Sequence, residues 1–325
     1  MKAKEFIKCM LATVALIGAS CSPSKSKPIT STTNQKRNMT QEIATFGAVH
    51  LNVTNLERSV SFWKEMIGMK VRKTTTEYTE LGTDKSTLVV LYPTATTPFK
   101  AGYSGLYHLA IHPSDEGEFA RILSRLIAKR YAISPTDHTM SKAIYMVDPD
   151  GITVEITLET PERLERMEIG SRGPVVIAKD GSVRGPSEPL DVQAVLKTLP
   201  DNDIERTLPD DTKVGHIHLY VSDLEEVNQF YKNLGFIQNT YLPQYGAVDL
   251  GAGGAFMHRI AANTWQSKNK PQAPEGTAGM RHFTIIFDTP ERLKKALQSL
   301  PTAQQQNDGY LVADPSGNKI FLRTQ

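Results

Sequence analysis

Two stretches of this chain repeat each other, and that repetition limits the fold more than any other feature. Gly47-Ala-Val-His-Leu-Asn-Val-Thr-Asn-Leu-Glu-Arg leads to Phe62-Trp63 and then Ile67-Gly68. Gly215-His-Ile-His-Leu-Tyr-Val-Ser-Asp-Leu-Glu-Glu leads to Phe230-Tyr231 and Leu234-Gly235. Each copy predicts an alternating strand, a turn and a helix. Val60, Trp63 and Ile67 form the apolar helix stripe of the first copy, and Val227, Tyr231 and Leu234 that of the second. The glycine after each stripe suits a helix end. Strands follow in both, over Lys70–Lys73, Tyr78–Leu81 and Leu88–Tyr92, and over Thr240–Leu242, Ala247–Leu250 and Ala255–Ile260.

Two looser units have the same order. Leu106-Tyr-His-Leu-Ala-Ile-His precedes a helix over Glu116–Arg130 and strands that end near Glu155. Met280-Arg-His-Phe-Thr-Ile-Ile-Phe precedes a helix over Pro290–Leu300 and strands that end near Phe321. The fold class is therefore α+β, with four strand–helix–three-strand modules. A connector over 161–212 contains Pro, Gly and one short helical pattern, Val192–Leu199. The last strands of modules two and four follow Asp148-Pro-Asp-Gly and Asp314-Pro-Ser-Gly. In the first of these turns Asp148 braces through its side chain, Pro149 fixes φ, and Gly151 takes an angle other residues resist. Beyond the turn Thr153 and Glu155 share one strand face, and Ile152 and Val154 the other. A lone carboxylate among β-branched residues is costly unless it is solvated, paired or metal-bound. From this stretch alone, both a solvated Glu155 and a metal-bound one stay open.

The first 21 residues read as a secretory leader. Lys2, Lys4 and Lys8 precede an apolar run over Cys9–Ala19, then small residues and Cys21. That run is too short to span a membrane. A Cys at this point resembles the lipobox of bacterial lipoproteins, which implies lipid anchoring through Cys21 in the cell envelope, on the periplasmic or outer-membrane face. The alternative is a start near Met39. Residues 22–44 read as a flexible tether, rich in Ser, Thr, Lys and Asn over most of their length. The formal net charge is +2 with no basic cluster, which argues against nucleic acid as a partner. Oligomerisation is left open.

The pattern resembles the vicinal oxygen chelate superfamily, which includes glyoxalase I, bleomycin-resistance proteins and extradiol dioxygenases. Its marks here are Gly215-His-Ile-His-Leu-Tyr-Val-Ser-Asp-Leu, the Asp148-Pro-Asp-Gly turn with Glu155, and Asp314-Pro-Ser-Gly. The overall layout is similar to two-domain bacterial catechol 2,3-dioxygenases. The resemblance implies two open, cup-shaped barrels, each of two modules, with one domain over 45–160 and another over 213–325. It implies metal ligands on first and last strands. The first strands offer Ala48, His108, His216 and His282, and the last strands offer Glu155 and Phe321. Ala48 and Phe321 cannot bind a metal, so His108, Glu155 and His216 are the implied set. Two imidazoles and one carboxylate suit Fe(II) with open positions for a catechol and dioxygen.

Three further residues are implied. His258 matches the acid–base histidine of extradiol enzymes, on the last strand of module three. Tyr145 matches a tyrosine that hydrogen-bonds the substrate, and Asp137-His138 resembles a rim motif, with the spacing shifted. Core or loop roles remain the plain alternatives for Tyr145 and His138. His282 reads as a relic, and His50, His112 and His218 as strand residues without a role. Trp265 either walls the pocket or packs on the surface. The implied activity is ring cleavage of a small aromatic diol by dioxygen. The alternatives are a glyoxalase-type isomerase or lyase, disfavoured by Phe321 and by no acid beside His258 in sequence, and a metal-free aromatic-binding module. Pairing modules one with two and three with four leaves both cups incomplete. Pairing two with three gathers the whole set in one cup and leaves Ala48, His282 and Phe321 in the other.

Overall fold

A computed structural model describes residues 41–171 and 173–325. The expected leader, the Cys21 anchor and most of the tether lie outside the described residues. Module one comprises β1 (Ala44–Asn52), α1 (Leu56–Phe62), β2 (Lys70–Thr74), β3 (Thr79–Gly82) and β4 (Thr87–Tyr92). Module two comprises β5 (Gly105–His112), α2 (Glu116–Ala128), β6 (Ser134–Asp137), β7 (Ser141–Val147) and β8 (Thr153–Glu159). The connector holds β9 (Leu164–Gly170), β10 (Gly173–Ala178), β11 (Val183–Arg184), β12 (Glu188–Pro189) and α3 (Val192–Leu196). Module three comprises β13 (Lys213–Tyr220), α4 (Leu224–Asn233), β14 (Ile237–Leu242), β15 (Ala247–Gly251) and β16 (Ile260–Asn263). Module four comprises β17 (Gly279–Phe287), α5 (Pro290–Leu297), β18 (Gln304–Gln306), β19 (Gly309–Ala313) and β20 (Lys319–Thr324).

The modules pair across the chain. One sheet runs β18-β19-β20-β17-β1-β4-β3-β2 and joins modules one and four. The other runs β12-β6-β7-β8-β5-β13-β16-β15-β14 and joins modules two and three. Neither closes into a barrel, as expected for open cups. The two seams are equivalent antiparallel pairs. His218 faces His108 across β13 and β5, and His50 faces His282 across β1 and β17.

Local chemistry explains the repeated elements. Asp115 and Asp223 cap α2 and α4, accepting from the N–H groups of Glu118 and Glu226 at 3.0 and 2.9 Å. The inner stripe of α2, Phe119, Ile122, Leu123 and Leu126, is buried in one core with Val154, Ile156, Ile217 and Leu219 from the sheet. Each such side chain contributes about 1.5–3 kcal/mol on burial. Asp148 Oδ1 accepts from the N–H groups of Asp150 and Ile152 at 2.9 and 2.8 Å, and Gly151 sits at φ +86°. Asp314 repeats this with Ser316 and Asn318 at 2.8 and 2.9 Å. The same turn therefore launches β8 and β20, which carry Glu155 and Phe321.

The structure corrects three expectations. The connector is not merely a linker, because β9, β10 and β11 form a sheet of their own and β12 extends the large sheet beside β6. The tether does not reach residue 44, since Ile43 is buried and Glu42 binds Arg259 at 2.6 Å. The expected strand Ala255–Ile260 is displaced to Ile260–Asn263, so His258 lies on the loop before β16. The glycines Gly251, Gly253 and Gly254 precede that loop and weaken a strand there. Among the described residues, no helix is long and apolar enough to cross a membrane.

Candidate metal centre

The cup of modules two and three gathers its polar side chains by strand alternation. Residues 108, 110 and 112 of β5 share a face. Ala110 is paired with Glu155 of parallel β8 on one side and with His216 of antiparallel β13 on the other. A small side chain between them lets His108, Glu155 and His216 lean together. His108 Nε2 lies 2.8 Å from Glu155 Oε2, His216 Nε2 lies 3.0 Å from the same oxygen, and the two nitrogens are 3.2 Å apart. All three residues are buried.

Burial holds both imidazoles below their ordinary pKa. Burial pushes the Glu155 carboxyl up, and His216 and His108 more than offset this, holding it well below the usual carboxylate range. Three acceptors this close repel one another unless a proton or a cation sits among them. Bonds of about 2.1 Å at right angles to one ion place donor atoms about 3 Å apart. The observed separations fit that requirement, so the residues present suit a divalent metal held on one face.

The open side carries the remaining residues. His258 Nδ1 bonds Asp249 Oδ1 at 2.9 Å. Burial works against a charge on this imidazole, yet Asp249 raises its pKa above the ordinary value. The His258 and His216 ring centres are 4.5 Å apart. The sequence placed no acid beside His258, and the fold supplies Asp249 from β15. Tyr145 is paired with Glu155 across β7 and β8, and its ring meets His108 edge-on at 5.5 Å. Desolvation and the Glu155 charge keep its phenol protonated. Its hydroxyl lies 3.0 Å from His138 Nε2. His138 Nδ1 in turn donates to the Pro186 carbonyl at 2.7 Å, so the connector seats it.

Two histidines without an expected role also belong to this cup. His218 Nε2 accepts from the Asn263 amide at 2.9 Å, and His108, His218 and His258 form a second group of converging nitrogens. His112 bonds His216, as described below. The signal for both was present, since His112 and His218 stand at even spacing from His108 and His216. Trp265 is 57% exposed, and its ring meets Tyr107 at 5.8 Å, which places it at the mouth.

The other cup lacks the set. Phe321 is paired with Thr284 as Glu155 is with Ala110. His282 stacks on His50 with centres 3.9 Å apart, and His50 Nδ1 bonds the Tyr92 hydroxyl at 3.0 Å. A cavity of about 1180 Å³ lies over this cup.

Residues 45–156 and 213–322 match the Glyoxalase/Bleomycin resistance protein/Dioxygenase superfamily. A Bacillus subtilis (strain 168) protein named catechol-2,3-dioxygenase is 32% identical over 278 residues, covering 83% of this chain and 93% of that protein. A crystal structure of a putative dioxygenase from Bacillus subtilis superposes with a TM-score of 0.57 at 10% identity, covering 88% of this chain and 86% of that one. Glyoxalase I from Zea mays gives a TM-score of 0.50 at 17% identity, covering 86% and 93%. These two structures speak for the fold, and the sequence matches in both halves speak for descent. The chain is a member of the glyoxalase/bleomycin resistance/dioxygenase superfamily.

Proposed function

We propose that this protein is an Fe(II)-dependent extradiol dioxygenase acting on a catechol-type substrate. The observation that carries the reading is the convergence of His108, His216 and Glu155, with the Asp249–His258 pair on the open side. The relative named catechol-2,3-dioxygenase supports the same reaction class. Iron held by these three residues would bring a catechol and dioxygen together and pass electron density from one to the other.

The chain's own residues supply binding and proton transfer. His258 uses Nδ1 for Asp249, which leaves Nε2 to take a phenolic proton and later return it. Asp249 stabilises the imidazolium formed in between. Tyr145 keeps its proton; its hydroxyl donates to His138 Nε2 in the free protein and turns that hydrogen to a substrate oxygen when substrate binds. Tyr107 and Trp265 form an aromatic wall for the ring. A glyoxalase-type isomerase calls for a second carboxylate at the metal. Among the described residues, the converging groups of this cup contain one carboxylate, Glu155. The test is to load purified protein with Fe(II) anaerobically, then add catechol and air. Appearance of a yellow semialdehyde acid is expected, and its absence from iron-loaded protein would sink this reading.

From the basic, apolar and small residues before Cys21 we also infer a lipid anchor in the cell envelope. Cys21→Ala should move the protein from the membrane fraction to the soluble one. A wild-type protein already soluble, starting near Met39, would overturn this.

A further inference from the structure

We propose that His112 is a positioning residue for His216, holding it in the tautomer and ring angle that turn Nε2 toward His108 and Glu155. This rests on the reading of His216 as a metal ligand. His112 is buried between two partners: its Nε2 lies 2.9 Å from His216 Nδ1, and its Nδ1 lies 2.8 Å from Glu159 Oε1. Arg259 Nη1 binds the same Glu159 oxygen at 2.6 Å, and also the Gly215 carbonyl at 3.0 Å.

The direction of each bond follows from what each group can do. A carboxylate only accepts, so His112 Nδ1 carries the hydrogen. A ligand His216 has a lone pair on Nε2 and its hydrogen on Nδ1, facing His112 Nε2, and a second hydrogen on that Nε2 would meet it head-on. His112 is therefore the neutral Nδ1–H form, and its Nε2 accepts. The hydrogen between the two rings then belongs to His216 Nδ1, which leaves His216 Nε2 as a bare lone pair. The chain Arg259–Glu159–His112–His216 thus selects the form of His216 that can bind a metal.

The backbone is shaped for this contact. A Cβ built on Gly215 would come within 2.2 Å of three His112 ring atoms, so the residue before His216 is a glycine where the ring passes. The other cup provides an internal comparison. There Ala48 stands for His216, Phe321 for Glu155, Ile286 for His112 and Gln325 for Glu159, at equal steps along paired strands. The cup without the ligand set also lacks the relay. Its Gly47 is retained, but there a Cβ would meet Thr284 and Ile286 at 3.0 and 3.2 Å, a far milder approach. The two histidine ligands are also held unequally, because His108 Nδ1 is buried without a hydrogen-bond partner among the described residues.

Cobalt(II) binding to the full chain tests this through affinity and visible absorption, with no turnover needed. His112→Phe should weaken binding by about 10- to 100-fold and alter the cobalt spectrum. His112→Gln keeps an acceptor near Nε2 and should restore most of the affinity and the wild-type spectrum. Gly215→Ala keeps His112 but displaces its ring, and should behave like His112→Phe; it reads the same relay if His112→Phe does not fold. Wild-type affinity and spectrum in His112→Phe or Gly215→Ala would overturn the positioning role alone. Cobalt binding retained at wild-type affinity in both His216→Ala and Glu155→Ala would overturn the ligand reading, and this inference with it.

Discussion

His258 and Asp249 form an imidazole–carboxylate pair, Nδ1 to Oδ1 at 2.9 Å, at the open side of a cup whose floor is the His108–Glu155–His216 triangle. The pair divides the labour of the site. The triangle has the atoms a metal needs, and His258 stands outside it with one nitrogen committed and one free.

The first consequence is a separation of binding from turnover. His258→Ala should retain iron, measured per chain after anaerobic loading, and lose catechol turnover by about a hundredfold or more. Loss of iron would make His258 a ligand, and full activity would remove it from the mechanism.

Asp249 sets where His258 titrates. Its carboxylate raises the imidazole pKa, so the neutral, proton-accepting form is reached only at higher pH. Asp249→Asn removes the raising charge and leaves burial, which lowers the pKa. The acid limb of the kcat/KM profile should therefore move to lower pH in the variant. A limb that stays in place would show that it belongs to another group.

The fold shows how much of this was legible in the chain. The candidate ligand positions could be read because the family resemblance implies ligands on first and last strands, and those strands recur in four modules. The pairing of modules followed from asking where a complete set could exist. Asp249 was not legible, because it reaches His258 through the β15–β16 neighbourhood and not through sequence adjacency. The His112–Glu159 contact likewise joins the ends of β5 and β8, neighbouring parallel strands of module two, across 47 residues of sequence. His258 reads as a strand residue in sequence because apolar Ala255, Phe256 and Met257 stand between the glycines and it. The connector strands β9 and β10 were hidden by the Pro and Gly that flank their alternation.

A third prediction concerns stability. Burial pushes the Asp148 carboxyl up to about 7, against the N–H groups of Ile152 and Asp150 that favour its charged form. An unfolded aspartate titrates near about 3.9. Between those values the folded chain holds a proton that the unfolded chain has released. The resulting stabilisation is full below pH about 4 and is lost as pH rises through about 7. Asp148→Asn keeps the turn's acceptor and removes the titration. The unfolding free energy should fall from pH 5 to 8 in the wild type relative to this variant, by an amount on the order of a few kcal/mol. Parallel curves would contradict the assignment.

The central claim is that one metal is held by residues from both halves of the chain. Anaerobic titration with Fe(II), read as tightly bound iron per chain, tests it in the wild type and in His108→Ala, Glu155→Ala and His216→Ala. The account predicts one iron per wild-type chain and loss of tight binding in each variant. Tight binding retained in all three variants, or iron bound by residues 213–325 alone, would contradict it.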